Sequence, residues 1–109
     1  MIKTFKNWLN RRLAWHRIWR QIQELSWITK GGRANPATRH LARFKSLEAW
    51  VSSAEDAYRR GDMEEAFQSL DMAMQSLDSM SEEHRGLLFQ ESARVRQEEY
   101  FLRVADLCQ

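Results

Sequence analysis

Residue types that could carry out catalysis are sparse in this 109-residue chain. The three histidines, His16, His40 and His84, stand in different segments, and none has a second ligand at a spacing that would chelate a metal from one helix. The single cysteine, Cys108, has no histidine placed to activate it as a nucleophile. We therefore expect a protein that is not an enzyme and that uses neither a metal nor another cofactor.

Binding chemistry is concentrated in the first 28 residues, which contain four of the five tryptophans among several arginines. One interpretation places the tryptophans in the core, with arginine stems along its edge. Another makes Trp8, with Arg11 and Arg12, part of a protein interface. A third is nucleic-acid binding, in which cations contact phosphates and a tryptophan stacks on unpaired bases. The candidate phosphate-binding residues are Arg11, Arg12, Arg17, Arg20, Arg39, Arg43 and Lys45.

Charge is divided unequally along the chain. Residues 1–46 carry 11 Lys and Arg and one acid, whereas residues 47–109 carry six Arg and 14 acids, so the net charge of +2 hides balances of +10 and −8. Such asymmetry points to an anionic partner for the basic half. The same charge asymmetry is equally compatible with two halves that neutralise each other, within one molecule or between two copies.

Several protein classes are disfavoured by composition. No apolar run approaches the roughly 18 residues of a membrane span, and Lys3, Lys6 and residues 10–12 interrupt any signal-peptide core. One cysteine excludes a disulfide framework and suits a reducing compartment, so we expect a cytoplasmic protein. A membrane-surface helix combines Trp with Lys and Arg, but it usually has one clean apolar face.

The first segment has two apolar faces. Residues 2–28 lack Gly and Pro and have apolar residues at helical spacing, which predicts a helix. The first stripe is Ile2, Phe5, Leu9 and Leu13, and the second, more than a quarter turn away, is Trp15, Ile18, Trp19, Ile22 and Leu25. We expect a kink within 11–14 or two separate packing partners. This basic, Trp-rich helix would occupy residues 1–30, and Gly31 and Gly32 would open a turn at 31–35.

Two further helices follow this turn. Asn35 and Pro36 suit the cap and first position of a helix that runs to Arg60, where Gly61 ends it in a left-handed conformation. Asp62 then caps a third helix. The residues of the third helix that we expect to be buried are Met63, Ala66, Phe67, Leu70, Ala73, Met74 and Leu77.

The last helix, capped by Ser81, also has two apolar stripes. Phe89, Ala93, Tyr100, Val104 and Leu107 form one, and Leu88, Val95 and Leu102 form the other. A helix that is apolar on two sides must be covered on both. We expect helices two and three to cover one stripe, and the N-terminal helix, a second copy or a partner's helix to cover the other.

The middle of the chain resembles a tetratricopeptide repeat. Over residues 47–78, the family's large, small, Gly, Ala, large and Ala positions are matched by Trp50, Ala54, Gly61, Ala66, Leu70 and Ala73. The longer stretch 47–107 is similar to the three-helix microtubule-interacting-and-trafficking domain, whose closing pattern is matched by Tyr100, Arg103 and Leu107. Both families bind a partner's helix or peptide without catalysis. The resemblance implies a contact surface on helix two that includes Val51, Glu55 and Tyr58.

The sequence thus predicts an all-α fold: a small bundle in which a tetratricopeptide-like hairpin and a long C-terminal helix, residues 36–109, follow the basic helix. We expect a non-enzymatic adaptor, chaperone, regulator or inhibitor that binds another protein or a second copy of itself, with a membrane partner disfavoured. The alternative is a subunit that binds nucleic-acid backbone through its basic half. The expected protein-binding residues are Trp8, Val51, Glu55, Tyr58, Leu88, Val95 and Leu102.

Overall fold

The computed structural model describes residues 2–107, except for the side chains at positions 2, 3 and 5; Cys108 lies outside the described residues. The all-α prediction is confirmed. Four helices occupy this range: α1 (Ile2–Ala34), α2 (Ala42–Arg60), α3 (Met63–Asp78) and α4 (Glu82–Leu107).

Helix α1 is longer than expected. Its helical backbone passes without interruption through residues 11–14 and through Gly31 and Gly32 to Ala34, so the turn predicted at 31–35 is wrong. The two glycines serve packing instead. A Cβ on Gly31 would lie 2.6 Å from the backbone nitrogen of Ser92, and one on Gly32 would overlap the side chains of Phe44 and Leu88.

The segment after α1 is a single turn and not the start of α2. The Asn35 side chain accepts a hydrogen bond from the Ala37 N–H at 2.9 Å, so its capping role is local. The buried Thr38 hydroxyl donates to the Gly32 carbonyl at 2.8 Å and ties this turn back to α1. Leu41 is extended (φ −68°, ψ 134°), so α2 begins at Ala42 and the predicted start at Pro36 is wrong.

Helices α2 and α3 form a tight hairpin whose predicted caps are confirmed. Gly61 adopts the left-handed conformation (φ 80°), and the Asp62 carboxylate accepts from the Glu65 N–H at 3.0 Å. The helices approach closely because small residues face each other: Ala54, Ala57, Ala66 and Ala73 are fully buried. The Ser53 and Ser69 hydroxyl groups lie 3.0 Å apart across this seam.

Helix α4 packs mainly on α1 and not on the hairpin. The two helices run in opposite directions: Gly31 contacts Ser92, Glu24 pairs with Arg96 at 2.9 Å, and Trp19 lines the same cavity as Arg103. The three-helix bundle expected over residues 36–109 is therefore not the arrangement found. Helix α1 is central instead, since it packs on each of the other three helices.

The core lies where α1 meets the hairpin and the first half of α4. Its larger buried members are Ile18, Ile22, Leu25, Ile28, Phe44, Leu47, Val51, Leu70, Leu77, Met80 and Leu88. The radius of gyration is 16.5 Å, above the roughly 13 Å of a compact chain of this length. The excess arises because residues 6–13 of α1 and the last turns of α4 extend past the core and remain exposed.

Replacing Gly31 with Ala is expected to destabilise the fold by about 1–3 kcal/mol, because the added methyl group meets α4 backbone that cannot rotate away. The matched control is Gly86→Ala in α4, where nothing lies within 4 Å of the added carbon. That change should stabilise by roughly 0.5–1 kcal/mol through helix propensity alone. Urea unfolding of both variants measures the difference; stabilisation by both would contradict the close approach of α1 and α4.

Candidate protein-binding groove

An aromatic stack fixes α1 against α2. Trp15 and Trp19 lie four residues apart on one face of α1. The ring of Tyr58, near the end of α2, stacks on both, with centroid separations of 4.2 and 4.8 Å and interplanar angles of 15° and 28°. This three-ring stack is the contact that holds the middle of α1 on the α2 side of the hairpin.

On its other side α1 faces α3 across an open groove. Two neighbouring cavities of about 780 and 550 Å³ share Arg17 and Gln21 in their lining. The first runs between Ala14–Ile18 and Met63–Gln68, and the second between Arg17–Ile28 and Leu70–Leu77. From residue 14 to residue 28 the helical rise gives the groove a length of about 21 Å.

The groove is lined by large apolar side chains that remain in contact with water. Phe67 is 63% exposed and Met74 is 46% exposed, while Phe89 of α4 closes one end and is also exposed. Buried Leu70 and Leu77 form part of its floor. Aromatic residues and Met are enriched at protein interfaces because they offer large contact areas and adapt to different partners.

The two rims of the groove carry opposite charge. Residues 61–80 contain five acids and no Lys or Arg. Three of these acids, Glu64, Asp71 and Asp78, recur every seven residues and are helical neighbours of Phe67 and Met74. The α1 rim contains Arg17 and Arg20, together with Glu24, which pairs with Arg96. Among the described residues, no ion pair within 4.0 Å involves these three acids or these two arginines.

Two of the expected protein-binding residues belong to the core. Val51 is buried in the cluster formed with α1, and Leu88 is fully buried where Gly32 and Phe44 meet. Their assignment to a binding surface is wrong, because α1 covers the side of α2 that carries Val51 and because Leu88 of α4 packs beside Gly32 and Phe44.

The other residues of that expected surface are also covered in part. Tyr58 is half-buried between Trp15 and Trp19. Glu55 is half-buried and lines a cavity of about 450 Å³ between α1, α2 and α4. A repeat-like contact face on α2 is therefore occupied by the chain's own helices.

The second stripe of α4 is divided between core and solvent. Leu88 is buried, Val95 is half-buried and Leu102 is exposed. The opposite stripe, which includes Phe89, Tyr100 and Val104, is exposed along its length. The expectation that the hairpin covers one stripe is not met, because α4 turns its second stripe to α1.

Trp8 and the expected phosphate-binding cations lie on the surface, but the cations form two separate groups. Trp8 is half exposed, with the Arg12 guanidinium 5.1 Å from its ring centroid. The first group, Arg11, Arg12, Arg17 and Arg20, is exposed along α1; the second, Arg39, Arg43 and Lys45, is exposed at the far end of α1. Arg11 lies about 30 Å along the helix from Gly32, which contacts the start of α2. Arg43 donates to the Ser79 carbonyl at the end of α3.

The groove residues Phe67 and Met74 were expected in the core, and that expectation is wrong. Sequence offers one signal of their exposure. The apolar residues of α3 cover a wider arc than α2 alone can bury, so exposure depends on whether another helix packs there. No group of three or more His, Cys, Asp or Glu within the described range could hold a metal ion.

Comparisons of this chain with family models, with curated proteins and with solved structures find no match.

Replacing Tyr58 with Ala should destabilise the protein by roughly 2–3 kcal/mol, because the ring stacks on two tryptophans and is partly buried. Tyr100→Ala is the matched control, since that ring is exposed and contacts Phe101 edge-on at 6.0 Å; its effect should stay under about 0.5 kcal/mol. Equal losses in urea unfolding would show that the stack does not hold α1 in place.

Proposed function

We propose that this protein is a non-enzymatic interaction module that binds an amphipathic helix of a partner protein in the groove between α1 and α3. An adaptor, chaperone, regulator or inhibitor would each use such a site. The observation that supports the proposal most strongly is the exposure of Phe67 and Met74 on the wall of an apolar groove about 21 Å long.

The groove's dimensions suit a helix. A segment of about 14 residues has the same length as the groove and presents apolar anchors at positions i, i+3, i+4 and i+7. Phe67 and Met74 are seven residues apart and lie on one face of α3, so they would contact successive anchors of the partner. Desolvation of these two side chains would provide most of the affinity.

The charged rims select the partner and its orientation. A helix with basic residues on one flank and acidic residues on the other would face the acidic ridge of α3 and the arginines of α1. Rim charges of this kind act chiefly on the association rate and on the choice of partner. The expected partner helix is therefore amphipathic and carries opposite charge on its two flanks.

Nucleic-acid backbone binding has less support. The cations that it would use form two separate groups, one spread over residues 11–20 of α1 and the other beyond the C-terminal end of that helix. In addition, the acidic ridge of α3 borders the rim that contains Arg17. We therefore place protein binding first.

The test is site-specific photo-cross-linking in the cell. With p-benzoylphenylalanine at position 67, we expect covalent adducts to an amphipathic helical segment, which mass spectrometry would identify. A synthetic peptide of that segment should bind the purified chain, and Phe67→Ser should weaken binding by about tenfold or more, as expected for a central anchor.

The control for both steps is Phe101, which is exposed on α4 away from the groove. The cross-linker at position 101 should give no adduct to the same segment, and Phe101→Ser should leave peptide affinity within about twofold. Equal adducts at both positions, or unchanged peptide affinity in Phe67→Ser, would refute helix binding in this groove.

A further inference from the structure

The fold buries the aliphatic residues of the second apolar stripe of α1 and leaves the described side chains of the first stripe exposed. Ile18, Ile22 and Leu25 of the second stripe are buried in the core. Leu9 and Leu13 of the first stripe are 40% and 50% exposed. Leu9 and Ile18 are nine residues apart, which at about 100° per residue places them on opposite sides of the helix. Leu9 and Leu13 are thus exposed on the side of α1 that faces away from the core.

Cations flank this stripe on both sides. On the helical circumference, Lys6 lies to one side of Leu13 and Arg12 lies to the other, where its guanidinium is 5.1 Å from the Trp8 ring centroid. Both side chains are exposed. Residues 1–20 contain six Lys and Arg and no acid, so no carboxylate within this stretch neutralises them.

The stripe is accessible because the other helices lie elsewhere. Helix α4 contacts α1 from Trp19 to Gly31, and the hairpin covers the face that carries Ile18 and Ile22. Around residues 6–13 the outer side of α1 remains exposed. A flat surface could therefore approach this side without contacting the core.

We propose that this outer stripe, defined as Leu9 and Leu13 with Lys6 and Arg12, binds the surface of a membrane that contains anionic lipid. Apolar side chains along one helical face with Lys and Arg on both flanks are the pattern of helices that lie in the plane of an interface. The apolar residues enter the headgroup boundary while the cations contact lipid phosphates.

Anionic lipid is the occupant favoured over nucleic acid, because a phosphate backbone uses the cations but has no use for the leucines between them. The described apolar area is small, so binding should require negative lipid charge and weaken as salt screens it. None of the described helices is long and apolar enough to cross a membrane. The proposal concerns attachment to the surface alone.

Vesicle flotation with the full chain tests this proposal. We expect recovery with vesicles of phosphatidylcholine and phosphatidylglycerol, and at least about tenfold less with phosphatidylcholine alone. The double variant Leu9→Ser with Leu13→Ser should reduce recovery by about tenfold, and Lys6→Gln with Arg12→Gln should do the same through charge.

Two control variants separate this surface from the rest of the molecule. Leu102→Ser with Leu107→Ser removes two exposed leucines from α4 and should leave vesicle binding unchanged. Phe67→Ser alters the groove and should also leave it unchanged, so that this proposal and helix binding fail independently. The substituted leucines are exposed, so far-UV circular dichroism of every variant should match that of the parent chain.

Three results would overturn the proposal. The first is equal recovery with neutral and anionic vesicles. The second is full recovery of the Leu9→Ser, Leu13→Ser variant with anionic vesicles. The third is that the parent chain and this variant both bind a single-stranded oligonucleotide while neither binds vesicles. That result would show that the cations contact nucleic-acid backbone.

Discussion

The close approach of α1 and α4 at Gly31 is the contact on which the rest of the arrangement depends. A Cβ atom added to this residue would lie 2.6 Å from the backbone nitrogen of Ser92, so only glycine allows the two helices to pack at this separation. The contact places Leu88 against Gly32 and Phe44, where it completes the core. The ion pairs that also join the two helices, Glu24 with Arg96 and Lys30 with Glu99, are exposed, and pairs of this kind contribute little. Packing therefore decides which helix α4 contacts.

Both candidate surfaces result from this choice. Because α4 pairs with α1, the described helices leave Phe67 and Met74 exposed on this flank of α3, with Phe89 of α4 at one end of the groove. The stack of Tyr58 on Trp15 and Trp19 holds α1 towards α2 and keeps the groove beside α3 open. Since α4 crosses the second half of α1, the outer stripe around Leu9 and Leu13 also remains exposed. The core thus presents an apolar groove on one side and a basic helical stripe on another.

Local features of the fold could be predicted from sequence, and the pairing of helices could not. The ends of α2 and α3 depend on Gly61 and Asp62, whose effects extend over at most a few residues. The turn predicted at Gly31 and Gly32 is wrong because glycine can either end a helix or permit a close contact between two helices. Which of these two roles glycine has here depends on α4, which the local sequence does not reveal. The two stripes of α4 and the wide apolar arc of α3 show that partners are needed, but periodicity does not identify them. For that reason periodicity places Leu88 on a surface and Phe67 in the core, whereas the resemblance to a tetratricopeptide repeat places Val51 on a surface.

The most direct test of the central position of α1 is the pattern of nuclear Overhauser effects in the full chain. The structure predicts a cross-peak between the Gly31 Hα protons and the Ser92 amide proton, because the two backbones are in contact there. It also predicts none between the Phe67 ring and any residue of α4, since the cavity that Phe67 lines contains residues of α1 and α3 alone. Cross-peaks from Phe67 to Val95 or Leu102, with none between Gly31 and Ser92, would show that α4 packs on the hairpin. That result would contradict both the fold described and the open groove.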